Sequence, residues 1–139
     1  MNIAEQIYQL NLGTCNILRS IAYKLNLTLS QVQCLLTIPF DSINMTTLSR
    51  QLGIDNSTLT RNLEKMAKKG FIQKVQDDFD KRNTHISLTK EGKQTLFEIE
   101  SHLEDISQKL LIEIKNKDRQ NIFEILEKLS WAIEKINIK

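Results

Sequence analysis

Apolar residues return along this chain with the spacing of helices. Ile3, Ile7, Leu10, Ile17, Leu18, Ile21 and Leu25 line one side of a helix predicted over residues 3–25. A second helix is predicted within "LTLSQVQCLLTI". Ser30 is the expected N-cap, Val32, Cys34, Leu35 and Leu36 are expected to point inward, and Pro39 ends the segment. "MTTLSRQLGIDNSTLTRNL" then has the spacing of two short helices joined by a tight turn. Thr46 can cap the first helix, which runs through Leu52; Gly53 can take the turn, and Asp55 can open the second. Leu48, Leu52, Ile54, Leu59 and Leu63 would lock the pair, with the small Ser49 where the helices cross closely.

The period changes in "FIQKVQDDFDKRNTHISLT". Around Val75, and from Ile86 to Leu88, the pattern alternates as in strands, and the polar run Asp77–Asn83 reads as a hairpin loop. A two-stranded hairpin directly after a helix-turn-helix is a winged helix, and the loop would be its wing. Helical spacing returns at Thr89, a cap residue, with Leu96, Ile99, Leu103, Ile106, Leu110 and Ile114 along one side. After "KNKD" a last helix, 118–137, carries Ile122, Ile125, Leu126, Leu129, Ala132, Ile133 and Ile136. These long striped helices exceed what a small winged helix needs for its own core, so a second copy is expected to cover them. The predicted fold is therefore mainly α with a small β-hairpin wing. It is one domain over 1–139, with a winged-helix lobe at 28–89 and dimerisation helices at 1–27 and 90–139.

The helix opened by Asp55 has an unusual outer face. A helix turns about 100° per residue. Leu59, Leu63, Met66 and Ala67 therefore fall on one apolar stripe, and Ile54 can staple to Leu59. The opposite face holds Ser57, Arg61, Glu64, Lys65 and Lys68, flanked by Thr58 and Thr60, and Gly70 supplies a left-handed stop. Hydroxyls suit phosphate oxygens and base edges alike, and an arginine can grip guanine or a phosphate.

Charge sharpens this picture. The net charge of +2 is too small to imply nucleic acid by itself. Its distribution says more: residues 1–40 carry +1, residues 41–90 carry +3 and residues 91–139 carry −2. The positive charge thus gathers around the hydroxyl-rich helix, as phosphate binding requires. The single Pro and four Gly among 139 residues favour long helices over many strands. The N-terminus lacks a cationic leader, and no apolar run has the length of a membrane span. The chain is read as cytoplasmic, without membrane contact, and its Cys15 and Cys34 as reduced thiols. Neither the cysteines nor His85 and His102 are spaced as metal ligands, and no nucleophile–base pair, paired carboxylates or glycine-rich phosphate loop suggests an enzyme or a bound cofactor.

"LTLSQVQCLL", "LSRQLGIDNSTLTRNLEKMAKKGFI", "DFDKR" and "ISLTKEG" together resemble the multiple-antibiotic-resistance regulator (MarR) family of bacterial transcription factors. Its most specific part is Asp80 and Arg82 in the wing, followed by a strand ending Leu-Thr-x-x-Gly. The resemblance implies a homodimer held by the first and last helices. Each lobe would place its recognition helix in a major groove of a pseudo-palindromic operator and its wing in the flanking minor groove. It also implies a repressor released by a small lipophilic ligand. The residues expected at double-stranded DNA are Thr47, Ser57, Thr58, Thr60, Arg61, Lys65, Lys68, Lys74, Lys81 and Arg82, with Asp80 supporting the wing arginine. Lys74 stands where the family commonly has an arginine, which keeps the charge and loses the planar fork. Two alternatives stand beside this reading. One is a thiol-based redox regulator using Cys15, with Tyr8 and Tyr23 about two turns away on either side. The other is a winged helix used for protein–protein contact.

Overall fold

The computed structural model describes residues 1–76, 79–80 and 83–137. The chain divides into two units, Met1–Glu100 and Ser101–Lys139.

The first unit opens with α1 (Ile3–Lys24), started by a capping box in which Asn2 and Glu5 satisfy each other's backbone N–H groups, both at 3.0 Å. Asn26, at φ 56°, turns the chain into α2 (Leu29–Thr37). The cap of α2 is Thr28, not Ser30. Thr28 Oγ1 accepts from the Gln31 backbone N–H at 3.1 Å, and Gln31 Oε1 accepts from the Thr28 N–H at 3.0 Å. Ser30 also has a glutamine three residues on, Gln33, but the box closes one pair earlier, on Thr28 and Gln31. Val32, Cys34 and Leu35 are buried as expected, whereas Leu36 is partly exposed.

A two-residue strand, β1 (Ile43–Asn44), precedes α3 (Met45–Leu52). It is too short to show a period in the sequence. Asn44, rather than Thr46, caps α3, its side-chain oxygen accepting from the N–H groups of Thr46 and Thr47 at 2.8 and 3.3 Å. Gly53, at φ 69°, makes the turn, and Asp55 caps α4 (Asn56–Lys68). Gly70, at φ 83°, ends that run. Leu48, Leu59, Leu63 and Met66 are fully buried, and Ser49 is buried at the α3 crossing with its hydroxyl bonded to the Thr46 carbonyl. Ala67, expected on the apolar stripe, is exposed.

Strands β2 (Ile72–Gln76) and β3 (Thr84–Leu88) form the predicted hairpin, and β1 adds to it in the antiparallel order β1-β3-β2. The register pairs Ile72 with Leu88, Lys74 with Ile86 and Ile43 with Ile86. Ile43, Ile72, Ile86 and Leu88 are buried, while Val75 is exposed, so β2 contributes to the core only at its start. Helix α5 (Lys90–Glu113) follows. Thr89 Oγ1 accepts from the Gly92 N–H at 3.0 Å, its hydroxyl donates to the Gly70 carbonyl, and its N–H donates to the Phe71 carbonyl at 3.0 Å. Gly92 is packed so closely here that a Cβ would sit 2.0 Å from the Phe71 carbonyl oxygen. The Leu-Thr-x-x-Gly sequence thus clamps the start of α5 onto the end of the α4–β2 turn.

The second unit holds the rest of α5 and α6 (Asn116–Asn137). Arg119 reaches back from α6 to the carbonyls of Ile114, at 3.2 Å, and Leu111, satisfying acceptors that the end of α5 leaves open. No residue from Ser101 to Asn137 is buried. Phe123, Ile125, Trp131 and Ile136 are each more than half exposed, and Lys135 Nζ stands 3.9 Å from the Trp131 ring centroid. Among the described residues no helix is long and apolar enough to cross a membrane.

Candidate nucleic-acid interface

Helix α4 divides its residues sharply. Its inner row is sealed in the core, and Ser57, Arg61, Glu64, Lys65 and Lys68 are exposed on the other side, with Thr58 and Thr60 at intermediate exposure. This is the division that the sequence predicts for all but Ala67. Among the described residues, the Lys65 and Lys68 ammonium groups have no hydrogen-bonding or ion-pairing partner within the chain. Lys69 differs: its ammonium donates to the Asn26 carbonyl at 3.4 Å and to Gln31 Oε1 at 3.3 Å, tying the end of α4 to the α1–α2 turn.

At the start of α4 the polar side chains are ordered by one another. The Asp55 carboxylate accepts from the Thr58 N–H at 2.7 Å and from the Thr58 hydroxyl at 3.0 Å. These contacts, the backbone one foremost, hold the Asp55 carboxyl below its ordinary range; slight desolvation opposes them, and the Arg61 charge adds to them. Arg61 Nη2 lies 3.5 Å from Thr58 Oγ1, as donor to it. The Thr60 hydroxyl donates to the Asn56 carbonyl at 2.7 Å. The sequence marks Asp55 only as a cap; its second role, orienting Thr58, is legible in hindsight from the three-residue spacing.

The remaining expected residues are spread around this helix. Thr47 is half-buried in the first turn of α3, where its N–H meets Asn44. Lys74 is exposed on β2, on the same sheet face as Ile72 and paired with Ile86. Asp80 is exposed in the loop, its carbonyl accepting from the Asn83 N–H at 3.0 Å. Lys81 and Arg82, with the Asp80–Arg82 pairing and the loop carboxylates Asp77 and Asp78, lie outside the described residues. Asn44 goes unmarked in the sequence: while capping α3, its amide also donates to Asn83 Oδ1, joining the helix pair to the base of the hairpin.

The thiols separate clearly. Cys34 is buried, and burial pushes its thiol up from 9.0 to about 11. Cys15 is half-buried on α1, with its Sγ 3.7 Å from Asn11 Oδ1. Among the described residues, no group of three or more His, Cys, Asp or Glu side chains is placed to hold a metal ion.

Known proteins share both the sequence and the shape. The MarR family model matches residues 27–84. The HTH-type transcriptional regulator SarZ of Staphylococcus epidermidis is 35% identical over 89 residues, covering 63% of this chain and 57% of that protein. SarZ of Staphylococcus aureus is 34% identical over 80 residues, covering 58% and 51%. The chain thus spans little more than half the length of these curated relatives. Wild-type apo MarR from E. coli superposes with a TM-score of 0.82 at 22% identity, over 93% of this chain and 96% of that one. A MarR transcriptional regulator from Methanosarcina mazei gives 0.84 at 22%, over 96% and 97%. A mutant E. coli MarR complexed with operator DNA gives 0.76 at 22%, over 91% and 92%. The family match over residues 27–84, and a fold shared over nearly its whole length, make this chain similar to the proteins of the MarR family.

Proposed function

We propose that the chain is a transcriptional regulator that binds double-stranded operator DNA as a homodimer. The outer face of α4 carries this reading. It presents Arg61, Lys65 and Lys68 to solvent, and Lys65 and Lys68 have no intrachain partner among the described residues. Such a face gives up little on meeting a phosphate backbone, and each cation that docks releases a condensed counterion. The names of the relatives and the operator-bound MarR support it further.

Dimerisation is supported by the apolar side chains that the single chain leaves in water on α6, and by Ile3, Tyr8 and Leu10 on α1. A two-fold dimer would set its two α4 helices on half-sites about 10 base pairs apart. Repression, with release by a small lipophilic effector, belongs to the same proposal, as does a cytoplasmic location beside the chromosome. Thr47, Lys74, Lys81 and Arg82 complete the proposed contact surface, and Asp80 steadies Arg82. A salt series of binding titrations, on duplexes from the promoter of the chain's own gene and on scrambled duplexes, tests the reading. Preference for the promoter DNA and a steep fall of affinity with salt are expected. Equal affinity for both duplexes, or no dependence on salt, would defeat it.

A further inference from the structure

The two threonines flanking the outer face of α4 have already committed their hydroxyl protons. A threonine hydroxyl has one proton to donate and two lone pairs to accept with. Thr58 donates to the Asp55 carboxylate at 3.0 Å, and Thr60 donates to the Asn56 carbonyl at 2.7 Å. Both partners are acceptors only, so the direction of each bond is settled by chemistry. The Arg61 guanidinium on Thr58 Oγ1 agrees with it, since that oxygen must there accept. Ser57, by contrast, has no hydroxyl partner among the described residues and can turn either way.

An oxygen that can only accept cannot bond to a phosphate oxygen, which accepts as well. In the major groove it is matched by the amino groups of adenine N6 and cytosine N4, and opposed by guanine O6 and thymine O4. Resting on the DNA-binding reading above, we infer that Thr58 and Thr60 are specificity residues that select adenine or cytosine at two positions of each half-site. Asp55 is the positioning residue that fixes the polarity of Thr58. Arg61 supplies the complementary donor, so the leading half of α4 offers acceptors beside a cation. The exposed Asp55 carboxylate, itself unable to meet phosphate, disfavours sequence-independent contact at the same place.

The experiment is selection of duplexes from a randomised pool by the full chain and two variants, reading base frequencies at each selected position. Asp55→Asn keeps a good N-cap. Its amide group can donate to Thr58, which releases the Thr58 proton toward DNA. Thr60→Val removes the second acceptor and leaves the helix backbone bonded. The wild type should favour adenine or cytosine at two positions per half-site, by roughly three- to tenfold at each, the worth of one net hydrogen bond. Asp55→Asn should move one of these toward guanine or thymine and leave the other alone. Thr60→Val should flatten only the other, and Thr60→Ser should restore it. Unchanged base frequencies in both variants, or uniform weakening on every duplex, would overturn the inference while leaving DNA binding intact. If the wild type selects no sequence at all, the DNA-binding reading itself fails, and this inference falls with it.

Discussion

Residues 1–100 and 101–139 are built from similar helices and hold them by different means. The first stretch buries Ile21, Val32, Leu35, Leu48, Leu59, Leu63, Met66, Ile72, Ile86, Leu88 and Ile99 around a small sheet. The second buries none of its described residues, although Leu110, Ile112, Phe123, Ile125, Leu126 and Trp131 lie along it. Apolar area removed from water stabilises by about 25 cal/mol per Å², so the lobe has its own source of stability and the tail has almost none. The lobe therefore needs its own residues intact, and the tail needs a neighbour.

The largest test of that contrast is removal of residues 118–139. Aggregated or unfolded protein is expected, because the surfaces that α6 would cover lose their partner. A soluble, monodisperse monomer with cooperative unfolding, seen by sedimentation and denaturant titration, would show that the tail is dispensable.

Point changes sharpen the comparison. Leu63→Ala should cost about 3 kcal/mol, as large-to-small changes in sealed cores do. Gly92→Ala should cost on the order of 3 kcal/mol as well, since its new methyl meets the Phe71 carbonyl rather than a yielding side chain. Urea midpoints should fall for both at every protein concentration. Phe123→Ala should instead act on association, steepening the dependence of the midpoint on protein concentration. If Phe123→Ala shifted the midpoint independently of concentration, the tail would hold a core of its own after all.

On the outer face of α4 the expected effects are smaller and concern binding. Arg61→Ala should cost roughly 1–3 kcal/mol per half-site on specific DNA and little on scrambled DNA. Lys68→Ala, nearly two turns farther along, should weaken both alike and lower the log–log salt slope by about one unit per contact. Equal changes in the affinity ratio for the two variants would refute the division of the helix into a reading half and an anchoring half.

The smallest expected effect is alkaline. The Cys34 thiol is raised by burial from 9.0 to about 11. Between those values the unfolded chain ionises while the folded chain keeps its proton, so the unfolded state binds fewer protons and stability falls as pH rises. Cys34→Ala should flatten that part of the stability–pH curve, measured by thermal unfolding from pH 8 to 11. An unchanged curve would mean that the thiol contributes nothing to it.

Much of the lobe was legible because local chemistry and burial agree there. Gly53 turns with a positive φ, Asp55 caps, and Leu59, Leu63 and Met66 repeat at the helical period. Where several residues could serve, sequence alone chose wrongly. Thr28 and Asn44 hold the caps expected of Ser30 and Thr46: Thr28 and Ser30 each have a glutamine three residues on, so spacing does not separate them, and Asn44 is tied to the hairpin base by a contact distant in sequence. Leu36 and Ala67 lie at the edges of their stripes, where a small rotation of the helix exposes them. Strand β1 was hidden because two residues have no period. At the site, residue types were legible but hydrogen-bond direction was not. Only geometry shows that Thr58 and Thr60 have given up their protons and that Lys69 is tied to the α1–α2 turn.

The glycines differ in what they tell about descent. Gly53 and Gly70 require only a positive φ, which asparagine also tolerates, so drift at those two positions has an exit. Gly92 has none, since every other side chain begins with the atom that the Phe71 carbonyl excludes. Among diverged copies of this gene, a replaced Gly92 would mark a lobe whose α5 has lifted from the turn before it, and a mutagenesis library can leave that codon untouched.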